Sequence, residues 1–495
     1  MDIEKLTIDE YVEAIKAKKL TAASGIKHFL NKIASDKHNA VIESFPDAID
    51  RAKEIDNAIS AKGGLNVNTS GKMLGVPVII KDNILYKGHK SSAASKMLAN
   101  FVSPYSATIV EKMLAEGAII IGRANMDEFA MGTTGETSTY GGAKNAIDPK
   151  YVAGGSSSGS ASAVGSGLCL AAIGTDTGGS IRCPAAWNGL YGLKPTYGTV
   201  SRYGIIAFAS SLDQAGPLTR NLRDAELVHN VIKGKDIHDA RTTINFPKTA
   251  PSAPDKLNIG YIKEVWDNAK DIQCFDRYQK LFSDLKAAGH TVTPISIKNF
   301  PLALATYYII APAEVASNLA RFDGVRYTSA PKDPDDLDQL YVETRTKFFG
   351  NEVKRRINLG NYVLSSGFFD AYYNKAKAIQ HALTGEFIDA FKSCDCVITP
   401  TTPAPAPELG AKVTSPVQMY LIDLFTIVAN ITGLPALAVP FGVGANNLPL
   451  GAQIMGAPHS EPLLFSVAEI VEQLTNCTKN TAPTAVAATT KKAVK

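Results

Sequence analysis

The stretch YVAGGSSSGSASAVGSGLCLAAIGTDTGGSIR, residues 151–182, carries the pattern that decides the fold. Taken alone, its glycines and serines are typical of a flexible linker. They continue, however, into the small and apolar segment 161–174. Small side chains let a helix backbone lie close to a neighbouring strand. The stretch therefore predicts a tight loop, a closely packed helix and the buried strand CLAAIGT, which ends at the turn DTGGS.

The flanking sequence repeats this alternation of helices and short apolar strands. The strand VPVII, residues 76–80, ends in Lys81. A helix over 108–117 stops at Gly117, and the strand AIIIGRAN follows it. The alternation predicts an α/β protein whose mixed, mostly parallel β-sheet is covered by α-helices on both faces.

The chain of 495 residues is expected to form one large domain over residues 1–477. Apolar residues three and four apart predict helices over 8–60 and a mainly helical region over 300–390. Repeated prolines predict an extended loop over 397–410 and a crossing over 245–258. Residues 1–60 are expected to form N-terminal helices, residues 61–245 a core segment, and residues 246–477 the remainder of the sheet with a helical region. Residues 478–495 are expected to be a disordered tail.

Charge and composition exclude several classes of protein. The formal net charge is +4, which gives no electrostatic basis for autonomous nucleic-acid binding. The charged N-terminus is not expected to be a signal peptide or an anchor, and no apolar run is expected to reach the ~18 residues that span a membrane. The six cysteines are scattered and are expected to be reduced and mostly buried. These features predict a cytoplasmic protein.

Ser180 lies in the segment GTDTGGSIRCP, residues 174–184, in a setting typical of an exposed nucleophile. A serine hydroxyl needs a base, yet no histidine occurs over residues 90–228. Gly178 and Gly179 allow several backbone N–H groups to point at one spot, which favours binding of a phosphate or a developing oxyanion. Nucleotide binding is disfavoured, because the chain lacks a P-loop GK[ST] and a GxGxxG run that opens a helix.

Lys81 follows a buried apolar strand directly, and two interpretations of it stay open. Its stem can extend so that the amine reaches solvent. Alternatively, the amine is desolvated, and burial can lower a lysine pKa from about 10.4 to about 5–6. A neutral lysine is a workable general base near pH 7.

Three stretches together resemble the amidase signature family of amide hydrolases: GVPVIIKDNI, GGSSSGSASA and GTDTGGSIRCPAA. The resemblance implies the fold of that family and a metal-free triad. In this triad Ser180 is the nucleophile, Ser156 the bridging serine after a cis peptide bond, and Lys81 the base. The resemblance also implies an oxyanion hole formed by the backbone N–H groups of four consecutive residues, Thr177, Gly178, Gly179 and Ser180.

Nearly the whole chain also resembles one branch of that family, the A subunits of glutamyl-tRNA(Gln) amidotransferases. The matching stretches include ANMDEFAMGTTGETSTYG, YYIIAPAEVASNLARFDGVRY and DLFTIVANITGLPALAVP, at 124–141, 307–327 and 423–440. This resemblance implies release of ammonia from glutamine within a heterotrimer that contains subunits B and C. ATP, Mg²⁺ and Glu-tRNA(Gln) would then be handled mainly by the partner subunit, with no cofactor in this chain. A stand-alone amidase acting on another small amide is the alternative.

Two residues match the glutamine-binding motifs of that branch. Asp423 can pair with the α-ammonium of a free amino acid, or it can cap a helix that begins near Leu424. Arg356 in VKRRIN can hold the α-carboxylate with two parallel hydrogen bonds, although the neighbouring Arg355 is an alternative. We therefore expect Arg356 and Asp423 at the substrate, with the choice between the two arginines left open.

Overall fold

The structure, a computed structural model, describes residues 1–60, 68–242, 254–267, 272–273, 275–411 and 421–475. Within these ranges eleven strands form a single sheet: β1 (Val41–Ser44), β2 (Pro77–Lys81), β3 (Ile119–Ala124), β4 (Ala171–Asp176), β5 (Tyr191–Lys194), β6 (Gln214–Thr219), β7 (Asn258–Ile262), β8 (Thr291–Ile295), β9 (Cys396–Pro400), β10 (Ala436–Val443) and β11 (Pro449–Gly456). Their order in the sheet is β1-β3-β2-β4-β6-β5-β10-β11-β9-β7-β8.

The helices that flank this sheet are α1 (Ile8–Lys16), α2 (Ala22–Ala34), α3 (Ala48–Ser60), α4 (Thr108–Ala115), α5 (Ser158–Gly165), α6 (Arg182–Trp187), α7 (Leu222–Ile232), α8 (Lys263–Trp266), α9 (Phe275–Ala287), α10 (Ala303–Asn318), α11 (Leu337–Phe348), α12 (Asn351–Leu364), α13 (Lys375–Ala390), α14 (Ile427–Ile431) and α15 (Glu461–Thr475). The expected α/β domain with a mixed sheet flanked by helices is confirmed, as is the helical region over 300–390.

The expectation that the sheet is mostly parallel is wrong. Of its ten strand pairings four are parallel, namely β2–β3, β2–β4, β7–β8 and β7–β9, and six are antiparallel. Parallel neighbours need a long crossover, such as α4 between β2 and β3, whereas a short connection joins β10 to β11 and reverses the chain. The alternation of helices and strands in the sequence predicts the parallel pairings and does not reveal the antiparallel ones.

Two segments expected to lack strands contain one each. Within the helical region 8–60, Val41–Ser44 pairs antiparallel with β3 at the edge of the sheet. Its four residues are too few to show an alternating pattern. The proline-rich loop over 397–410 begins as strand β9, which pairs with β11. The later prolines of this loop are not part of any strand, as expected.

One helix corrects the expectation that no segment is long and apolar enough to span a membrane. By length and composition the stretch Phe300–Arg321, which contains α10, passes that test among the described residues. More than half of it is buried, and it packs against α12 and α13. It is therefore a core helix of this fold.

The cysteine prediction is confirmed where the structure describes these residues. Cys169, Cys183, Cys394 and Cys396 are buried free thiols. The other two cysteines, the tail 478–495 and most of the crossing 245–258 lie outside the described residues.

The pairing of β2 with β4 brings the candidate site residues at the ends of these two strands together. The two strands are parallel neighbours, with Ile80 of β2 beside Ile173 of β4. Their carboxyl ends therefore lie at the same edge of the sheet, where polar residues of α/β proteins commonly converge. Lys81 ends β2 and Asp176 ends β4, so these residues lie close together although almost a hundred positions separate them.

Candidate active site

Lys81 has no exposed surface, so its amine does not reach solvent. Its Nζ lies 2.8 Å from Ser156 Oγ. The amine also donates to the Thr175 carbonyl oxygen at 3.2 Å and contacts the Thr175 hydroxyl at 2.9 Å. Asn83 donates to the same hydroxyl at 3.0 Å. The structure thus places the candidate base directly against Ser156, the candidate bridging serine.

Burial controls the proton affinity of this amine. It lowers the pKa of Lys81 to about 7, and the carboxylates of Asp127, Asp176 and Asp213 oppose the shift only in part. About half of the amines are therefore neutral near pH 7. A neutral amine has a lone pair that can accept the hydroxyl proton of Ser156.

The loop that carries Ser156 is bonded to β4 and to the turn of Ser180. The Gly155–Ser156 peptide bond is cis. The next residue, Ser157, donates its backbone N–H to the Ser180 carbonyl oxygen at 3.2 Å. Its hydroxyl donates to the Thr175 carbonyl oxygen at 3.1 Å and accepts the Thr175 N–H at 3.2 Å. Ser157 therefore fixes the loop that brings Ser156 to Lys81.

Helix α5, which follows this loop, is packed as its small residues predict. All eight of its residues, Ser158–Gly165, are buried. A Cβ atom added to Gly159 would lie 2.2 Å from the Ala40 carbonyl oxygen and 2.3 Å from the Asn125 nitrogen. The glycine/serine run is thus a closely packed helix entry and not a linker.

A buried ion pair between Asp176 and Arg182 stabilises the turn of Ser180. Asp176 accepts the N–H groups of Gly179 and Ile181 at 2.8 and 3.0 Å. The guanidinium of Arg182 binds both oxygens of the same carboxylate, at 2.9 and 3.0 Å. Burial alone would raise the pKa of Asp176, but the Arg182 charge holds it well below its usual range. The carboxylate therefore stays ionised and fixes the conformation of the turn.

The two glycines before Ser180 fit closely against their neighbours. A Cβ atom on Gly179, whose φ is +135°, would lie 2.2 Å from Thr426 Oγ1. A Cβ atom on Gly178 would lie 2.7 Å from the Tyr307 ring. Because the Gly179 N–H donates to Asp176, the candidate oxyanion donors reduce to the N–H groups of Thr177, Gly178 and Ser180.

Comparisons with known proteins identify the family to which this chain belongs. The family model for amidases matches residues 25–465. The chain belongs to the amidase family. It is 43% identical over 475 residues, 95% of its length and 97% of the relative, to the A subunit of glutamyl-tRNA(Gln) amidotransferase from Dechloromonas aromatica. The protein of the same name from Lacticaseibacillus casei is 45% identical over 478 residues, 95% of this chain and 97% of the relative.

Solved structures agree with this relationship. The crystal structure of the A subunit of glutamyl-tRNA(Gln) amidotransferase from Thermotoga maritima has a TM-score of 0.76 and 36% identity, covering 96% of this chain and 95% of its own. A peptide amidase from Stenotrophomonas maltophilia has a TM-score of 0.76 and 28% identity, covering 95% and 97%. This amidase thus shares its fold with enzymes whose names refer to different substrates.

Asp423 of this amidase does not cap a helix through its side chain. Its carboxylate accepts hydrogen bonds from Thr133 at 3.0 Å and from Tyr308 at 3.3 Å, and helix α14 begins only at Ile427. Burial raises the pKa of Asp423 to about 7, while the bond from Thr133 and the charge of Arg356 oppose this rise. Asp423 is a buried acid near a buried cation.

The structure distinguishes the two candidate arginines. The Arg356 side chain is 4% exposed, and its guanidinium carbon lies 5.5 Å from the centre of the Tyr308 ring and 5.6 Å from that of Phe208. The Arg355 side chain is 46% exposed. Both bind Glu352, but Arg356 alone of the two faces the interior. Tyr308 links the expected substrate residues, because its ring contacts Arg356 and its hydroxyl donates to Asp423.

Sequence motifs do not indicate several residues of the candidate site of this amidase. These residues contact the triad, the glycines or Asp423: Thr133, Ser157, Thr175, Tyr307, Tyr308 and Thr426. Each lies in a stretch that resembles the family or borders one, but no residue type or spacing distinguishes it within that stretch. Among the described residues, no three His, Cys, Asp or Glu side chains are grouped so that they could hold a metal ion.

Proposed function

We propose that this chain is the glutamine-hydrolysing subunit of a tRNA-dependent amidotransferase. The observation that carries the proposal is the buried Arg356–Tyr308–Asp423 group. Its two charged ends complement the α-carboxylate and the α-ammonium of a free amino acid. The match over 95% of the chain to proteins named as amidotransferase A subunits supports glutamine as that amino acid.

The recognition residues are bonded to the turn of the nucleophile. Thr426 donates its N–H to the Asp423 carbonyl oxygen at 3.1 Å, and its hydroxyl donates to the Gly178 carbonyl oxygen at 2.7 Å. Arg182 donates to the Thr426 carbonyl oxygen at 2.8 Å. A ligand that binds Asp423 therefore lies at a fixed distance from the turn of Ser180.

In the proposed reaction Ser180 Oγ attacks the side-chain amide carbon of glutamine. The Ser180 proton passes to Ser156, and the Ser156 proton passes to the neutral Lys81 amine. The N–H groups of Thr177, Gly178 and Ser180 bind the oxyanion of the tetrahedral intermediate, and such a donor typically contributes about 2.7–4 kcal/mol. Thr175 accepts the N–H groups of the amine, which leaves its lone pair for Ser156.

The same route returns a proton to the leaving group. The intermediate collapses when its carbon–nitrogen bond breaks, and the proton from Lys81 converts the leaving amide nitrogen to ammonia. The product on the enzyme is an ester between Ser180 and the glutamyl group. Water, deprotonated by the same relay, cleaves this ester and releases glutamate.

The proposed partners are subunits B and C of a heterotrimer in the cytoplasm. The relatives are named as subunits. This chain also exposes an apolar surface of the kind that subunits bury against one another. Six large apolar side chains within 359–372 are each more than a third exposed: Leu359, Tyr362, Leu364, Phe368, Phe369 and Tyr372. Apolar surface of this density is typical of a face covered by another protein. In this proposal the partner uses ATP, Mg²⁺ and the ammonia to amidate Glu-tRNA(Gln).

Ammonia release tests this function. We expect the purified chain to release ammonia from glutamine slowly, and faster when subunits B and C, ATP, Mg²⁺ and Glu-tRNA(Gln) are added. A Ser180→Ala variant in the same assembly is the control and should release none. High turnover by the chain alone, without stimulation by the partners, would identify a stand-alone amidase and contradict the proposal.

The pH dependence tests the two shifted groups. The active forms are the neutral Lys81 amine and the ionised Asp423 carboxylate, and both pKa values are about 7. Activity should therefore rise with pH through neutrality. Below about pH 6 the logarithm of kcat/KM should increase with a slope of about 2 for glutamine. For glutaramate, which lacks the α-amino group, we expect a slope of about 1, because only the ionisation of Lys81 then affects kcat/KM. Equal slopes would exclude this role of Asp423.

A further inference from the structure

Two consecutive residues in the turn after β3 connect the catalytic loop to helix α12, which carries Arg356. The Asp127 N–H donates to the Ser156 carbonyl oxygen at 3.1 Å. The carboxylate of Glu128, the next residue, accepts the Gly350 N–H at 2.9 and 3.2 Å. Gly350 is the N-cap residue that immediately precedes α12. Adjacent positions of one turn therefore bind parts of the chain that are about two hundred residues apart.

Glu128 acts as the missing cap of α12. The first N–H groups of a helix need external acceptors, and Gly350 has no side chain to provide one. A carboxylate at this end also interacts favourably with the helix dipole. The fit is close, because a Cβ atom on Gly350 would lie 2.0 Å from Glu128 Oε2. The Ser95 hydroxyl donates to Glu128 Oε1 at 2.5 Å and orients the carboxylate.

The backbone after Glu128 is strained. Phe129 and Ala130 have φ values of 48° and 61°, which non-glycine residues rarely adopt. The Phe129 ring is buried, with its centre 5.0 Å from that of Phe322 and 5.6 Å from that of Phe349. These aromatic contacts hold the turn in place next to the start of α12. The strained conformation is thus kept where it directs Glu128 toward Gly350.

We propose that Glu128 is a positioning residue for substrate specificity: it fixes helix α12, and with it the Arg356 guanidinium that receives the α-carboxylate. This inference rests on the proposed role of Arg356. Arg356 lies six residues after Gly350, about 9 Å along the helix at 1.5 Å per residue. Because α12 is one continuous helix, a shift of its first turn moves the guanidinium relative to Asp423. Glu128 itself does not contact the reacting atoms.

The test compares two amides that differ only in the carboxylate. We expect Glu128→Ala to raise KM for glutamine about five- to tenfold, the usual cost of a lost helix cap, with kcat nearly unchanged. Hydrolysis of γ-aminobutyramide, which lacks the α-carboxylate, should match the wild type. Glu128→Gln keeps an acceptor for the Gly350 N–H and should give a smaller effect. The control is Glu136→Ala on the same segment. This variant should leave kcat and KM unchanged for both amides.

The outcomes separate this inference from the proposed function. Equal losses with both amides, or unchanged kinetics in both Glu128 variants, would overturn the positioning role. So would a further increase of KM when Glu128→Ala is added to Arg356→Gln, because the proposed effect acts through Arg356. If the wild-type enzyme itself does not prefer glutamine to γ-aminobutyramide, the proposed function fails instead. If the wild type prefers glutamine and Glu128→Ala has no effect, only this inference fails.

Discussion

Replacing Lys81 with methionine is expected to reduce kcat for glutamine hydrolysis by at least about 10³-fold, because the relay then lacks its base. Methionine fills the space of the lysine stem and removes only the amine. Ser156 then loses the amine 2.8 Å from its hydroxyl, and the proposed relay from Ser180 through Ser156 has no final proton acceptor. Steady-state ammonia release, measured with partners and saturating glutamine, gives this value.

A second buried lysine provides a matched control. Lys194 is also fully buried, and burial also lowers its pKa to about 7. Its amine donates to the Pro195 carbonyl oxygen at 2.8 Å and to Gln214 at 3.2 Å, and neither partner belongs to the proposed triad. Lys194→Met should lower the melting temperature but leave kcat within a few-fold. Comparable losses of kcat in both variants, or a Lys81→Met enzyme with more than a tenth of the wild-type rate, would exclude Lys81 as the base.

Replacing Arg356 with glutamine is expected to raise KM for glutamine by about 100-fold. Removing one partner of a buried, hydrogen-bonded charge pair typically costs about 2–5 kcal/mol, and tenfold in affinity corresponds to about 1.4 kcal/mol. The substitution leaves the α-carboxylate of the substrate without its cation. Initial rates over a range of glutamine concentrations separate this effect on KM from any effect on kcat.

The neighbouring arginine is the control for this experiment. Arg355 and Arg356 both bind Glu352, at 2.6 and 2.8 Å, so each variant removes one cation from the same acid. Because exposed ion pairs contribute little, Arg355→Gln should change KM by about twofold or less. An Arg355→Gln variant with the larger loss would reverse the assignment, and unchanged KM in both variants would exclude α12 from substrate binding.

The sequence alone was sufficient for those parts of the site that depend on short segments. The loop, helix, strand and turn of 151–182 follow from residue types, and Lys81 follows from its place after an apolar strand. Their meeting point is also predictable, because parallel neighbouring strands end at the same edge of a sheet. The roles of Ser156 and Ser180 came from resemblance to a family, and they stay predictions until the variants are measured.

The remainder of the site depends on contacts that no local pattern encodes. Tyr308 donates to Asp423 across 115 positions, and Thr133 does so across 290. A buried arginine and an exposed one look alike in VKRRIN, and only the packing of α12 distinguishes Arg356 from Arg355. The sheet is likewise more antiparallel than its helix–strand alternation indicates, because pairing direction depends on the order of distant strands.

The distribution of the site along the chain has a consequence for how such enzymes diversify. The candidate catalytic groups lie within 81–182, on β2, β4 and the segments beside them. The candidate recognition groups Tyr308, Arg356 and Asp423 come from the later half of the chain. Substitutions in that half can change the accepted amide while bond cleavage is preserved. A peptide amidase and an amidotransferase component with the same fold would then be two outcomes of one inherited reaction.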